Sequence, residues 1–235
     1  FYAAGIPILH LFTGTHDGAP AMLRAATGPK YGRIWNADVV RHLVDRFGDG
    51  VNGQWRVPGV FGQRVQVNKD TTTLFASDRD LFIFLCDEDK RVEVETRKGD
   101  PSTKGMLYRG FIISNSEEGS ASLTVRFFAY DGICGNRIIW GAHELGGLSI
   151  RHTASAPDRY LEEVQPTLLA YGNSSTAKMV DMVKVAQQQR VDNLDTFLAS
   201  RFGPRVSERI VDAFANDEGE RPIETVWDVV TGVTA

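Results

Sequence analysis

The sequence predicts an α+β fold: an antiparallel sheet with a β-hairpin, followed by a long helix and a C-terminal helical segment. Three observations predict it. Between Phe61 and Ile150 apolar residues recur with a period of two, the signature of half-buried strands. The strands in that stretch are joined by short polar turns, which suit antiparallel neighbours, whereas parallel ones need long crossovers. After Ser155 the period lengthens to three and four, so strands come first and helices second.

The elements follow in order. The first 35 residues are rich in Gly, Ala and Thr, lack periodicity and read as an extended arm or loops. Asn36 or Asp38 is placed to cap a short helix through Phe47, with Val39, Val40, Leu43, Val44 and Phe47 on its apolar side. The Gly-rich stretch 48–62 is loop. Val65 and Val67 alternate with polar residues, Lys69-Asp70 marks a turn, and Thr72–Phe75 returns, so a hairpin is expected there. Leu81–Cys86 is a continuous apolar run and reads as a buried strand. Asp87-Glu88-Asp89-Lys90 reads as the turn after it, with Val92 and Val94 beyond. Leu107–Ile113 and Leu123–Tyr130 form a second strand pair, and Ile138–Trp140 and Leu148–Ile150 are short extra strands. Pro157 suits a first helical turn, with Leu161, Val164, Leu168 and Tyr171 at helical spacing. One long helix is expected over about 174–202, with Met179, Val183, Ala186, Leu194 and Leu198 inward. Pro204 and Pro222 each open a further helix. The expected organisation is an N-terminal arm and short helix (1–60), a sheet-plus-helix core (61–202) and a C-terminal helical segment (203–235).

Composition narrows the function. Hydrophobic residues are 42% and charged residues 24% of 235, as in an ordinary globular chain, which excludes global disorder. No apolar run has the length of a membrane-spanning helix, so a membrane partner is not expected. The chain begins at Phe1 rather than Met and is read as a fragment; no segment has the charged, apolar and cleavage-site order of a secretory signal. Two cysteines, Cys86 and Cys134, are too few for a disulfide framework and read as reduced thiols with packing roles. The net charge of -4 speaks against a generally basic chain, yet a local basic groove is compatible with it, because the last third of the chain carries the acidic excess.

The phosphate-binding loops of ATP-dependent enzymes and the nucleophile elbow of hydrolases are missing, and the five histidines form no metal-spaced pair, so no cofactor is expected. What remains is an acidic cluster and a set of isolated cations. Asp78 or Asp80 before the run 81–86, with Glu88 and Lys90 after it, has the composition of a divalent-metal nuclease site. A hairpin turn has the same composition. In Leu123–Tyr130, Arg126 shares a parity with Phe128 and Tyr130, and Arg109 shares one with Leu107, Phe111 and Ile113. A strand face that mixes Arg with aromatics suits single-stranded nucleic acid, since the cation meets phosphate and a ring stacks on a base. It is equally the pattern of a solvated Arg covering a half-exposed aromatic. Lys178 and Lys184 lie on the polar stripe of the long helix, where they can follow a phosphate backbone or simply face solvent.

The segments Leu107-Tyr108-Arg109-Gly110-Phe111 and Ile133-Cys134-Gly135-Asn136-Arg137-Ile138-Ile139-Trp140-Gly141, with Trp227 and Val233-Thr234, resemble a family of phage- and plasmid-borne proteins that is a domain of unknown function. The order of hairpin, antiparallel sheet and following helix is more distantly similar to the single-strand annealing proteins, of the lambda Red beta and eukaryotic Rad annealase type. The resemblance implies a non-enzymatic, ATP-independent protein of the bacterial cytoplasm that binds single-stranded DNA in a basic groove and promotes pairing of complementary strands in recombination. It implies a homo-oligomer, ring or helical filament, and a host or phage single-strand-binding protein as a further partner. The expected DNA contacts are Lys69 in the hairpin, Arg109 and Arg126 on the sheet, Asn136 and Arg137 at the Cys-x-Asn step, Arg151, and Lys178 and Lys184. The alternatives are the metal-dependent nuclease built on Asp80, Glu88 and Lys90, and a self-assembling phage structural or regulatory protein that binds no DNA.

Overall fold

A computed structural model describes residues 15–16, 19–20, 27–57, 74–77, 79–94, 105–131, 146–218 and 221–234. Strands β1 (Thr15–His16) and β2 (Ala19–Pro20) form a two-stranded ribbon, and helix α1 (Asn36–Phe47) follows. Next come β3 (Trp55–Arg56), β4 (Leu74–Ala76), β5 (Asp80–Val94), β6 (Gly105–Ser116), β7 (Leu123–Asp131) and β8 (Gly147–Ile150). The rest is helical: α2 (Ala156–Arg159), a π-helical turn (Tyr160–Val164), α3 (Gln165–Asn173), α4 (Ala177–Gln188), α5 (Leu194–Phe202), α6 (Pro204–Glu218) and α7 (Val226–Thr234). The fold is α+β, as the change of period implies.

Strands β3 to β8 make a six-stranded antiparallel sheet ordered β3-β5-β6-β7-β8, with β4 also paired to β5. Alternation gives each strand two faces. Leu81, Ile83 and Leu85 of β5, Phe111 and Ile113 of β6, and Leu123, Val125 and Phe127 of β7 form the inner face. They share one core with Val39, Leu43 and Phe47 of α1 and with Tyr160, Val164 and Leu168. Trp55 and Val57 belong to the same cluster. Further along the sheet, Val92, Leu107 and Ala129 meet Met179, Val183 and Ala186 of α4 and Trp227 of α7. Each such fully buried large side chain contributes about 1.5–3 kcal/mol over leaving it in water. Among the described residues, the helices pack on the inner face of the sheet. On the outer face Phe84, Cys86, Tyr108 and Phe128 form a smaller cluster.

Several expectations are corrected. The tetrapeptide 87–90 is no hairpin turn: β5 runs through it as a single strand with a bulge, Asp87 pairing with Arg109 and Arg91 with Tyr108. The reason lies in Asp87, whose Oδ1 accepts the backbone N–H groups of Asp89 and Lys90 and so holds turn geometry inside a strand. The run 81–86 is not buried throughout, because Phe82 is 41% exposed on the outer face. The single long helix is two, α4 and α5. Between them the chain bridges at Arg190 to Thr225, with Val191 N–H donating to Glu224 O and Val226 N–H to Gln189 O, and Asn193 then caps α5 by accepting from Thr196 N–H. In α1 neither Asn36 nor Asp38 caps. Trp35 holds the cap position, and the Asn36 N–H is satisfied by the buried Glu117 carboxylate arriving from the end of β6, 2.7 Å away. Val44, expected inward on α1, is half-exposed. Of the expected hairpin only the end of the returning strand is described, as β4; residues 64–73 and the strand 138–140 lie outside the described residues.

Candidate nucleic-acid interface

The expected contacts separate once strand parity is applied. Arg109 lies on the inner face between Leu107 and Phe111 and is 3% exposed. Its Nε and Nη2 both donate to Asp87 Oδ2, at 2.9 and 2.7 Å. Its Nη1 donates to the carbonyls of Tyr171 and Ser174, and Nη2 also to Gly172 O at 2.6 Å. These carbonyls belong to the last turn of α3 and the residue after it, where a helix leaves its C=O groups unpaired and carries partial negative charge. Arg109 therefore closes the end of α3 and neutralises Asp87 at the same time. The other oxygen of Asp87 accepts from Gln54 Nε2. Lys90 Nζ reaches Gly172 O and Ser174 O. Tyr171 completes the joint: its O–H donates to Gly110 O at 3.0 Å, and burial pushes its phenol well above the ordinary range. The guanidinium also lies over the Trp55 and Tyr171 rings. The expectation that Arg109 meets phosphate is overturned, because every one of its donors is committed inside the protein.

The acidic cluster fails as a metal site on geometry. Asp80 and Glu88 sit eight residues apart on one strand, which places their backbones roughly 25 Å apart at about 3.3 Å per residue. Lys90 is turned to the end of α3. Among the described residues no group of three His, Cys, Asp or Glu side chains converges as a metal would require. Asp78 lies outside the described residues.

Arg126 has the opposite parity from Val125 and Phe127. It is exposed on the outer face, and it makes no hydrogen bond or ion pair among the described residues. The register places a row across the sheet beside it: Phe75 of β4 opposite Phe82 of β5, then Ser114, Thr124 and Ser149. Four strand spacings of about 4.8 Å make this row roughly 19 Å wide. Phe75 is 53% and Phe82 41% exposed, so two rings lie open at one end of the row. Arg151 is exposed just beyond β8 at the other end. The row gives way to a closed region: Phe84 and Phe128 pack edge to face at 4.6 Å, and Gly110 lies beneath them, where an added Cβ would stand 2.4 Å from Phe128 Cζ.

Lys178 and Lys184 are exposed on α4, which packs against the inner face through Met179 and Val183. The sheet stands between them and Arg126, so these cations do not share one groove. Lys69, Asn136 and Arg137 lie outside the described residues, as does Cys134; Cys86 is buried. Phe75 and Phe82 were not among the expected contacts. The signal that finds Phe82 is its parity: a residue of alternate parity in an apolar run faces the other side of the sheet.

No helix among the described residues is long and apolar enough to cross a membrane. No family model, curated protein or solved structure matches this chain.

Proposed function

We propose that the protein binds single-stranded DNA across the outer face of its sheet and promotes the pairing of complementary strands without ATP. One observation carries the reading: two exposed phenylalanines paired across β4 and β5, in register with a row of hydroxyls and flanked by an exposed Arg126 that has no partner among the described residues. Rings stack on bases whatever their identity, hydroxyls take hydrogen bonds from bases or sugars, and a free guanidinium meets phosphate. Such a face holds a strand without reading its sequence. A rigid sheet also bears the ordering of the first strand before the second arrives, which is what annealing requires of a protein that makes no bonds. Among the described residues β4 and β8 pair on one side only, and an unpaired strand edge is where a neighbouring subunit would add in assembly into a ring or filament by one repeated contact.

Fluorescence anisotropy with a labelled oligonucleotide at about 50 mM salt tests the reading, where the phosphate contribution is strong. Phe75→Ala with Phe82→Ala should remove most of the binding, since each stacked base is worth about 1–3 kcal/mol. Binding that is absent in the parent, or that survives loss of both rings, defeats the proposal. Light scattering at micromolar concentration, with and without the oligonucleotide, tests the assembly. Assembly without DNA binding returns the protein to a structural or regulatory role.

A further inference from the structure

A second site lies away from the sheet's outer face, where α1 meets the π-helical turn. In a straight α-helix, residues five apart point about 140° from one another. The π turn over Tyr160–Val164 changes that, because its i→i+5 bond, from Gln165 N–H to Tyr160 O, stacks residue 165 close above residue 160. Pro166 explains why the turn widens here: it has no N–H to give, and its ring would strike the carbonyl of Glu162 in a regular helix. The result is that Tyr160 and Gln165 converge on one side chain of α1, His42.

The convergence occupies one nitrogen of that imidazole. Gln165 Nε2 can only donate, and it is directed at His42 Nδ1. The Tyr160 hydroxyl lies 3.1 Å from the same nitrogen, and the two rings are stacked with centroids 5.6 Å apart. Both contacts fall on Nδ1, which leaves Nε2 without a partner among the described residues. Burial raises the Tyr160 phenol above its ordinary range. His42 lines a cavity of about 410 Å³, whose other walls include Leu43, Phe47, Pro166 and Leu168. Leu161 and Leu169 stand at its mouth, 52% and 41% exposed. Arg46 lines it as well, exposed and without an ion pair among the described residues. Asp45 is the neighbouring charge, one position earlier on α1 and so turned about 100° from Arg46.

We propose that this cavity binds a small amphipathic carboxylate, its head held by His42 Nε2–H and Arg46 and its apolar body against Leu161 and Leu169. The cavity lies within the size range of small-molecule sites, and its lining is mixed, with leucines and Phe47 beside His42, Arg46, Tyr160 and Gln165. A planar anion suits one imidazole N–H beside a guanidinium, and exposed leucines at the mouth are covered by an alkyl chain. The inference is independent of DNA binding.

Octanoate is the probe, with octanol as its uncharged counterpart and acetate as the head alone. Calorimetry should show saturable octanoate binding, weaker octanol binding and no acetate binding. Ring-nitrogen NMR should show His42 in the Nε2–H form, shifted by octanoate. Arg46→Gln should weaken octanoate about tenfold, as loss of a charge-assisted hydrogen bond does, and Leu161→Glu should abolish binding. Both side chains are exposed, so both variants should fold, which circular dichroism verifies. The proposal is overturned if octanoate does not saturate, if octanol equals it, or if binding is indifferent to both substitutions. The last result would place the probe in the apolar groove between α4, α5 and α7.

Discussion

Arg109 and Arg126 lie on neighbouring strands, and their side chains go to opposite worlds. Arg109 is on the inner face, 3% exposed, with a carboxylate, three helix-end carbonyls and two aromatic rings around it. Arg126 is on the outer face, exposed and without a partner among the described residues. The difference teaches that a guanidinium reports its role through what its strand parity faces. An inward Arg exposes the protein to the full desolvation cost of a charge, so it is retained only with a complete set of acceptors. An outward Arg costs little to keep and stays available to a ligand. The same division runs through the aromatics of the outer face, where Phe84 and Phe128 are buried and Phe75 and Phe82 are open.

Breaking the inner joint should have the largest effect. Asp87→Ala strands a buried cation, and urea denaturation should show a loss of about 3–5 kcal/mol. A smaller loss would mean that the α3 carbonyls and the rings suffice for Arg109. Gly110→Ala probes the closed end of the outer face. Its Cβ would meet Phe128 and, at 2.7 Å, the backbone oxygen of Leu85, which cannot swing aside. About 1–3 kcal/mol should be lost by the same measurement. Tyr171→Phe removes only the hydroxyl that ties α3 to Gly110, so thermal unfolding should report about 0.5–1.5 kcal/mol. Arg126→Ala should change stability by less than about 0.5 kcal/mol. If the proposed interface is right, it lowers oligonucleotide affinity and shallows the salt slope by about 0.7, one phosphate contact on a single strand. A large stability loss at Arg126, or none at Asp87, would erase the contrast between the two faces.

Much of this contrast was legible beforehand. Arg109 shares its parity with Leu107, Phe111 and Ile113, and Asp87 shares its own with Leu81, Ile83 and Leu85. Two opposite charges in two apolar rows are what a buried pair looks like in sequence. Reading the residues 87–90 as a turn hid it, because a turn would have put Asp87 in solvent. The register between β4 and β5, which sets Phe75 beside Phe82, was not legible, since pairing between strands leaves no local trace. Pro166 signalled an irregular helix, but what the irregularity brings together depends on α1, more than a hundred residues away in sequence.

By itself the sequence determined the α+β class, the strands β6, β7 and β8, the apolar faces of α1 and α4, and the absence of the common phosphate loops, because periodicity and motif are local properties. Tertiary structure decided which cations are open. Lys178 and Lys184 are parted from Arg126 by the sheet, Arg109 is consumed by the end of α3, and Glu117 rather than a local residue satisfies the first turn of α1. The physical reason is that availability of a charge depends on the partners that long-range packing supplies. Those partners come from segments whose approach no local pattern encodes.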